Sequence, residues 1–265
     1  MSICGFFDNK SIFAKKINQI MNNKCLHCNC TIDANFCGNC GQKAETHRYS
    51  LKHFFIHDFI HGIFHFDNGF LYTMKELFTR PGNSVREYIE GKRAKHFNYF
   101  ATVIILLTIN YFFSKFTKIG LQDVLNQESV SGLSKVIKDY SKFVTFIVIP
   151  FNALMSYLIF KKSGQNYTEN LVLNIFLLAA IVSLRFFITF TLIITDDPTT
   201  ILTVNFLFVI LIFLYTIIFF FQYFSAYNYN KIELVLRVVI IAILFIITKQ
   251  GINTIINTIG LRYLS

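Results

Sequence analysis

Two pairs of cysteines carry the most legible chemistry in this chain. Cys25 and Cys28 frame one C-x2-C knuckle, Cys37 and Cys40 frame a second, and eight residues separate the pairs. Two intervening residues make a turn tight enough to aim two thiolates, with nearby backbone N–H groups, at one ion. Two such knuckles complete a closed tetrahedral Cys4 zinc site. The position after each second cysteine usually needs a positive φ, and Asn29 and Gly41 stand there, the residue types that tolerate it most cheaply. Four protein ligands leave no open position, so one zinc per chain is expected to be structural. It would supply folding energy that about twenty residues cannot draw from a core. The alternative, disulfide pairing among the six cysteines, requires an oxidising compartment, and the knuckle spacing favours zinc over it. Cys30 reads as a spare thiol and His27 as a solvated knuckle residue. A reduced thiolate site belongs in the cytoplasm.

Four histidines form a second pattern. His53, His57, His61 and His65 recur at every fourth position among Phe and Ile, with Asp58 beside them. On a helix they form a stripe that drifts by about 40° per step. One reading is a second metal site or a proton-sensing stripe. The favoured one is an interfacial helix on the membrane or against the bundle, its polar seam facing water. Arg185 is the one charge inside an otherwise apolar stretch, which marks it for a functional role or for snorkelling toward the nearby Asp196 and Asp197. Asn110, Asn152, Asn174 and Asn205 read as interhelical hydrogen-bonding residues. Lys92, Arg93 and Lys95 read as an anchor on anionic lipid headgroups.

The elements that must position these groups follow from composition. Of 265 residues, 54% are hydrophobic and only 15% charged, with a mean hydropathy of +0.49. That excludes a disordered or collagen-like chain, and it is too apolar for an ordinary soluble globule, which carries about 25% charged residues. The apolar residues are unevenly spread. Residues 1–96 hold all seven histidines, all six cysteines and 13 of the 25 Lys and Arg. The expected division is an N-terminal segment at 1–24, a zinc ribbon at 25–42, juxtamembrane or interfacial helices at 50–96 and a transmembrane bundle at 97–265.

A helix needs roughly 20 apolar residues to cross hydrocarbon. Spans are expected at about 97–114, 143–160, 171–194, 201–224 and 234–256, the last interrupted by Arg237 and Lys249. These runs lack strict alternation, which points to helices rather than a barrel. Pro150 is expected to kink the second. Pro81 is expected to open a short helix to about Glu90, with Gly91 ending it. The fold class is therefore all-α: a membrane bundle of about five helices, preceded by a small Cys4 zinc ribbon and juxtamembrane amphipathic helices. Arg86, Lys92, Arg93, Lys95, Lys161 and Lys162 fall on one side of the membrane and the Asp196–Asp197 loop on the other, but five lysines between 115 and 142 oppose that vote. The reduced cysteines decide for a cytoplasmic N-terminus. Lys10, Lys15 and Lys16 break any signal-peptide run.

In order, the cysteine knuckles with Gly41 and Gln42, then Gly69, Phe70, Thr73, Leu77, Pro81 and Gly82, then the run from Arg86 to Arg93 directly before a span form a combination. It resembles an uncharacterised bacterial membrane family, domain-of-unknown-function 3667, over about residues 25–115. Two positions depart from the pattern: Asn29, where Gly is expected, and the neighbourhood of Tyr99, where Pro is expected. The resemblance implies zinc and a bacterial cytoplasmic (inner) membrane, and brings no substrate.

No phosphate loop, nucleophile elbow, H-E-x-x-H or triad occurs, and Glu87 and Glu90 lack a partner for acid–base work. The expected function is therefore a membrane-anchored interaction, scaffold or regulatory protein without catalysis. It would engage membrane lipids, a cytoplasmic protein and a second copy of itself. The basic residues lack the interleaved aromatics of a nucleic-acid surface. The alternative is a transporter or channel using the histidine ladder and intramembrane polar residues. A membrane enzyme built on the histidine stripe ranks third.

Overall fold

The computed structural model describes residues 24–32, 34–44, 46, 48–51, 69–117 and 147–263, with side chains as far as residue 252 and at Thr254. Among the described residues the chain is mostly helical and has no strand. Two isolated antiparallel bridges, Lys24 with Thr31 and Phe36 with Lys43, brace the knuckles. The histidine ladder and the 1–23 segment lie outside the described residues.

The helices are α1 (Gly69–Thr79), α2 (Pro81–Ile89), α3 (Tyr99–Ser114), α4 (Ile147–Ile159), α5 (Tyr167–Ile194), α6 (Pro198–Phe224) and α7 (Lys231–Tyr263). Local chemistry sets their starts. Pro81 occupies the first turn of α2, where its missing N–H is harmless. Asn98 caps α3 by accepting from the N–H of Phe100 and Ala101. A capping box of Asn166 and Glu169 starts α5 at Tyr167. That start precedes the uncharged run beginning at Leu171, because Glu169 serves the helix end rather than interrupting it. Asp197 caps α6 through the N–H of Thr200, with Pro198 next to it.

Two helices, α5 and α6, are long and apolar enough to cross a membrane, while α3 and α4 are shorter apolar helices. Their surroundings differ sharply. The apolar stretch of α5 is 72% buried and that of α6 only 17%. Helix α5 is the central post, packed by α3, α6, α2 and α1, whereas α6 contacts α2, α5 and α7 on one side. A helix that is apolar all round is stable when every face is covered. The outer face of α6, with Leu202, Phe206, Leu207, Ile210, Leu211 and Leu214 exposed, is not covered by the described residues.

The starts of α3, α5 and α7 and the ends of α4 and α6 gather at one end of the bundle, and α1 and α2 cap it. Arg48 grips Glu169 at the start of α5 through Nε and Nη2 at 2.6 and 2.8 Å, and also donates to the Gly164 carbonyl at 2.7 Å. Tyr215 at mid-α6 donates to the Leu77 carbonyl at the end of α1. Under the cap, Tyr49, Tyr88, Tyr99 and Phe176 pack against one another, mostly edge to face, with centroids 5.0 to 6.4 Å apart. Phe160 stacks on Phe224 at 3.8 Å between the α4 and α6 ends.

Candidate metal centre

The two knuckles fold alike, as their spacing requires. In the first, the N–H of Cys25 donates to Cys30 and that of Asn29 to Cys25. In the second, Cys37 donates to Gln42 and Gly41 to Cys37, all at 2.8 to 2.9 Å. Asn29 and Gly41 adopt φ of 60° and 71°, the conformations expected of the residues that close the knuckles.

The turns bring four Sγ atoms within 4.8 Å of one another. Cys25 lies 3.4 Å from Cys40, and Cys28 lies 3.5 Å from Cys37. A tetrahedral zinc with Zn–S bonds of about 2.3 Å needs S···S edges of about 3.8 Å, so the four thiols fit that cage. No disulfide joins the described cysteines. The Cys28 thiol is drawn down to about 5 by the backbone N–H of Cys30 and the Asn39 amide. Desolvation pushes that of Cys40 up to about 12. Four thiols this close do not all ionise without a cation between them, and a divalent metal ion supplies that charge. The N–H of His27 points to Cys25 Sγ at 3.4 Å, a further stabiliser of a thiolate. Cys30 is exposed and receives the Asn39 amide at 3.4 Å. The Nδ1 of His27 is buried without a partner.

The cysteine motif does not reveal what the ribbon stands on. Gln42, buried just past the second knuckle, accepts the backbone N–H groups of Arg93 and Ala94 at 3.0 and 2.9 Å and donates to Thr46 at 3.1 Å. Gly91 has φ +114°, and a Cβ there would stand 2.9 Å from Leu26, inside the first knuckle. The ribbon thus sits on the α2–α3 turn. That turn is tied to the bundle by Arg93, whose guanidinium lies 4.1 Å from the Tyr49 ring and whose Nε donates to the Tyr88 carbonyl. Lys92 reaches Glu87 at 3.9 Å, and Lys95 is exposed. Helix α2 is held against α6 in turn. Arg86 donates to the carbonyls of Gln222 and Tyr223 at 3.0 and 3.2 Å, and the Gly82 N–H donates to the Gln222 side chain at 3.2 Å.

A polar cluster lines the inner side of the cap. Arg80 bridges Glu76 and Glu87 at 2.5 and 3.3 Å. His96 stands 3.4 Å from Ser84 Oγ, between the rings of Tyr72 and Tyr88. Burial pushes the His96 imidazole down to about 4, so it is neutral at pH 7. Among the residues expected to bond between helices, Asn174 donates to Ser156 at 3.0 Å and Asn110 to Thr189 at 3.5 Å. Arg185 is exposed on the outside of α5.

The features that only folding reveals are Gln42, Gly82, Arg86 and the Arg48–Glu169 pair. A glycine directly after a helix-opening proline was a usable signal, because a helix gains from Ala there unless something comes close. Nothing local marks Arg48, whose partner is 121 residues away.

Residues 67–110 match a family described as Protein of unknown function (DUF3667), the family that the sequence resembles. The matched segment contains Gly82, Arg86, Gly91 and Arg93, the residues that join cap, ribbon and bundle. No curated protein and no solved structure matches the chain.

Proposed function

With that family match as premise, we propose that the chain is an integral protein of a bacterial cytoplasmic membrane whose structural zinc ribbon faces the cytoplasm and docks a partner protein without catalysis. One observation carries the membrane reading. Helix α6, 27 residues and almost wholly apolar, keeps most of its surface uncovered by the described residues, and lipid is the solvent that makes such a surface stable. The five apolar helices would then form the bundle. Orientation draws on charge: Lys92, Arg93, Lys95, Lys161 and Lys162 cluster at the ribbon end and Asp196 and Asp197 at the other, the asymmetry of a ribbon on the cytoplasmic side.

The interaction role draws on the closed Cys4 cage. Four ligands saturate a zinc ion, so its contribution is to stiffen a platform. The platform is bonded to the bundle through Gln42 and keeps Asn35, Phe36 and Asn39 exposed. The partners under this reading are lipids, a cytoplasmic protein and a second copy of the chain, and nucleic acid is not among them. A transport role is the second reading, favoured by one observation: the amide oxygens of Asn152, Asn170 and Asn174, on α4 and α5, are buried without a donor, a polar interior of the kind a solute path uses.

The deciding experiment measures zinc and partner recovery together. The full chain, purified from carbonate-washed membranes in detergent, is expected to hold about one zinc and to co-purify with a cytoplasmic protein. Replacing Cys25, Cys28, Cys37 and Cys40 by Ser is expected to abolish both and leave membrane retention intact. A zinc-free wild-type chain would sink the ribbon reading. Solute uptake into proteoliposomes that survives the Ser changes would replace the interaction role by transport.

A further inference from the structure

Helices α4 and α5 meet along a polar seam. Asn152 and Ser156 stand one turn apart on α4, and Asn170 and Asn174 one turn apart on α5, so each pair shares a helix face. Two hydrogen bonds join the helices. Asn174 Nδ2 donates to Ser156 Oγ at 3.0 Å, and the Tyr167 hydroxyl donates to the Pro150 carbonyl at 3.2 Å. Along each helix these contacts bracket the other pair, Asn152 and Asn170. The seam is closed to solvent: Ala153 and Ser156 are 0% exposed, Asn170 1% and Asn174 4%.

The donors of three of these residues are already engaged. Asn170 Nδ2 donates to the Asn166 carbonyl at 3.0 Å and Asn174 Nδ2 to the Asn170 carbonyl at 2.8 Å, each one turn back along α5. The Ser156 hydroxyl donates to the Ala153 carbonyl at 3.1 Å. Those bonds set which way the Asn170 and Asn174 amides point and leave each Oδ1 as an acceptor. The Oδ1 atoms of Asn152, Asn170 and Asn174 are all buried and receive no hydrogen bond from a described residue. An acceptor left so raises the energy of the fold unless something bound there meets it.

The oxygens identify what would bind. A water molecule has two protons and meets two of the three amides, whereas a cation meets all three at once. A divalent ion asks for carboxylates to offset its dehydration. Neutral carbonyl-type oxygens instead replace the hydration shell of an alkali ion. We propose that the α4–α5 seam binds one monovalent cation, sodium or potassium, through Oδ1 of Asn152, Asn170 and Asn174. The site names the ion class that the transport reading would use but does not depend on transport, since a resident ion fastening α4 to α5 uses the same oxygens.

The test uses the full chain in a neutral maltoside detergent, stripped of alkali ions by exchange into choline chloride. The probes are radioactive sodium and unlabelled potassium and calcium. Wild-type protein is expected to take up about one sodium per chain, saturably and in competition with potassium. Its unfolding midpoint should be higher in sodium or potassium chloride than in choline chloride of equal strength. Asn170→Leu and Asn174→Leu, which keep the shape and remove the oxygen, are each expected to weaken binding about tenfold. Asn152→Asp, which adds a charge, is expected to tighten binding about tenfold, a gain that a misfolded chain would not show. No saturable uptake of either ion overturns the proposal. Wild-type affinity in both Leu variants overturns it too, and calcium that displaces sodium at equal concentration overturns the monovalent assignment. Sodium flux into proteoliposomes decides the transport reading separately: binding without flux keeps the site and dismisses transport, and flux without saturable binding does the reverse.

Discussion

Replacing Gly82 by Ala should destabilise the protein, although Ala is the better helix former. An ideal Cβ at this position stands 2.2 Å from the Phe219 carbonyl oxygen and 2.4 Å from the Tyr223 nitrogen, both backbone atoms of α6. Backbone cannot rotate away as a flexible side chain would. Contacts under 3.0 Å are essentially never seen, so α2 and α6 must part by about 1 Å, which forfeits up to half of each dispersion contact across the seam. Overpacking of this kind costs about 1–3 kcal/mol, and lengthening the Gly82–Gln222 hydrogen bond adds about 1 kcal/mol. Against this stands a gain of at most about 1 kcal/mol from helix propensity and the stiffer unfolded chain. The net expectation is a loss of about 2 kcal/mol, or roughly 4–8 °C in the midpoint for a chain of this size. Thermal unfolding followed by circular dichroism in detergent reads it. Gly251→Ala on α7 is the control, since a Cβ there meets nothing within 4 Å, and its midpoint should hold or rise. A Gly82→Ala chain as stable as the wild type would refute the reasoning, and with it the claim that α2 lies directly on α6.

Gln42→Ala should leave the cysteine cage able to bind zinc but strip two backbone donors of their acceptor, lowering stability by about 2 kcal/mol and exposing the ribbon to limited proteolysis. Gln42→Glu, which keeps the acceptor, should restore most of the protection, and equal cleavage of both variants would dismiss the docking bond. His96 should make stability fall in mild acid. Its folded value of about 4 lies below the ordinary 6.5, so the neutral ring's contribution is whole above pH 6.5 and is lost as pH drops toward 4. The full loss is about 3 kcal/mol. Unfolding midpoints at pH 7 and pH 4.5 should differ less in His96→Gln than in the wild type, and equal differences would count against this account.

The knuckle geometry was legible residue by residue, because C-x2-C spacing and the positive φ of Asn29 and Gly41 are local properties of a few bonds. Apolar run length located the helices for the same reason, since hydrophobic burial needs only a continuous apolar surface. Their starts were less legible. The third span read as starting at Leu171, yet α5 starts at Tyr167, with Glu169 inside it as part of a capping box.

What the sequence determined by itself is therefore a cysteine cage, a set of apolar helices and the uneven spread of charge between them, each set by neighbours within about one turn of chain. Only the tertiary structure decided which apolar helix is covered. Helices α5 and α6 are similar in composition, yet one is the central post and the other faces outward, because burial depends on what packs against a face and not on the face alone. It also decided that the cysteine knuckles stand on the α2–α3 turn through Gln42 and that Arg48 reaches Glu169. Those pairings join residues from 51 to 121 positions apart, and no local preference of the chain encodes a contact over that distance. Close packing selects it when the helices assemble.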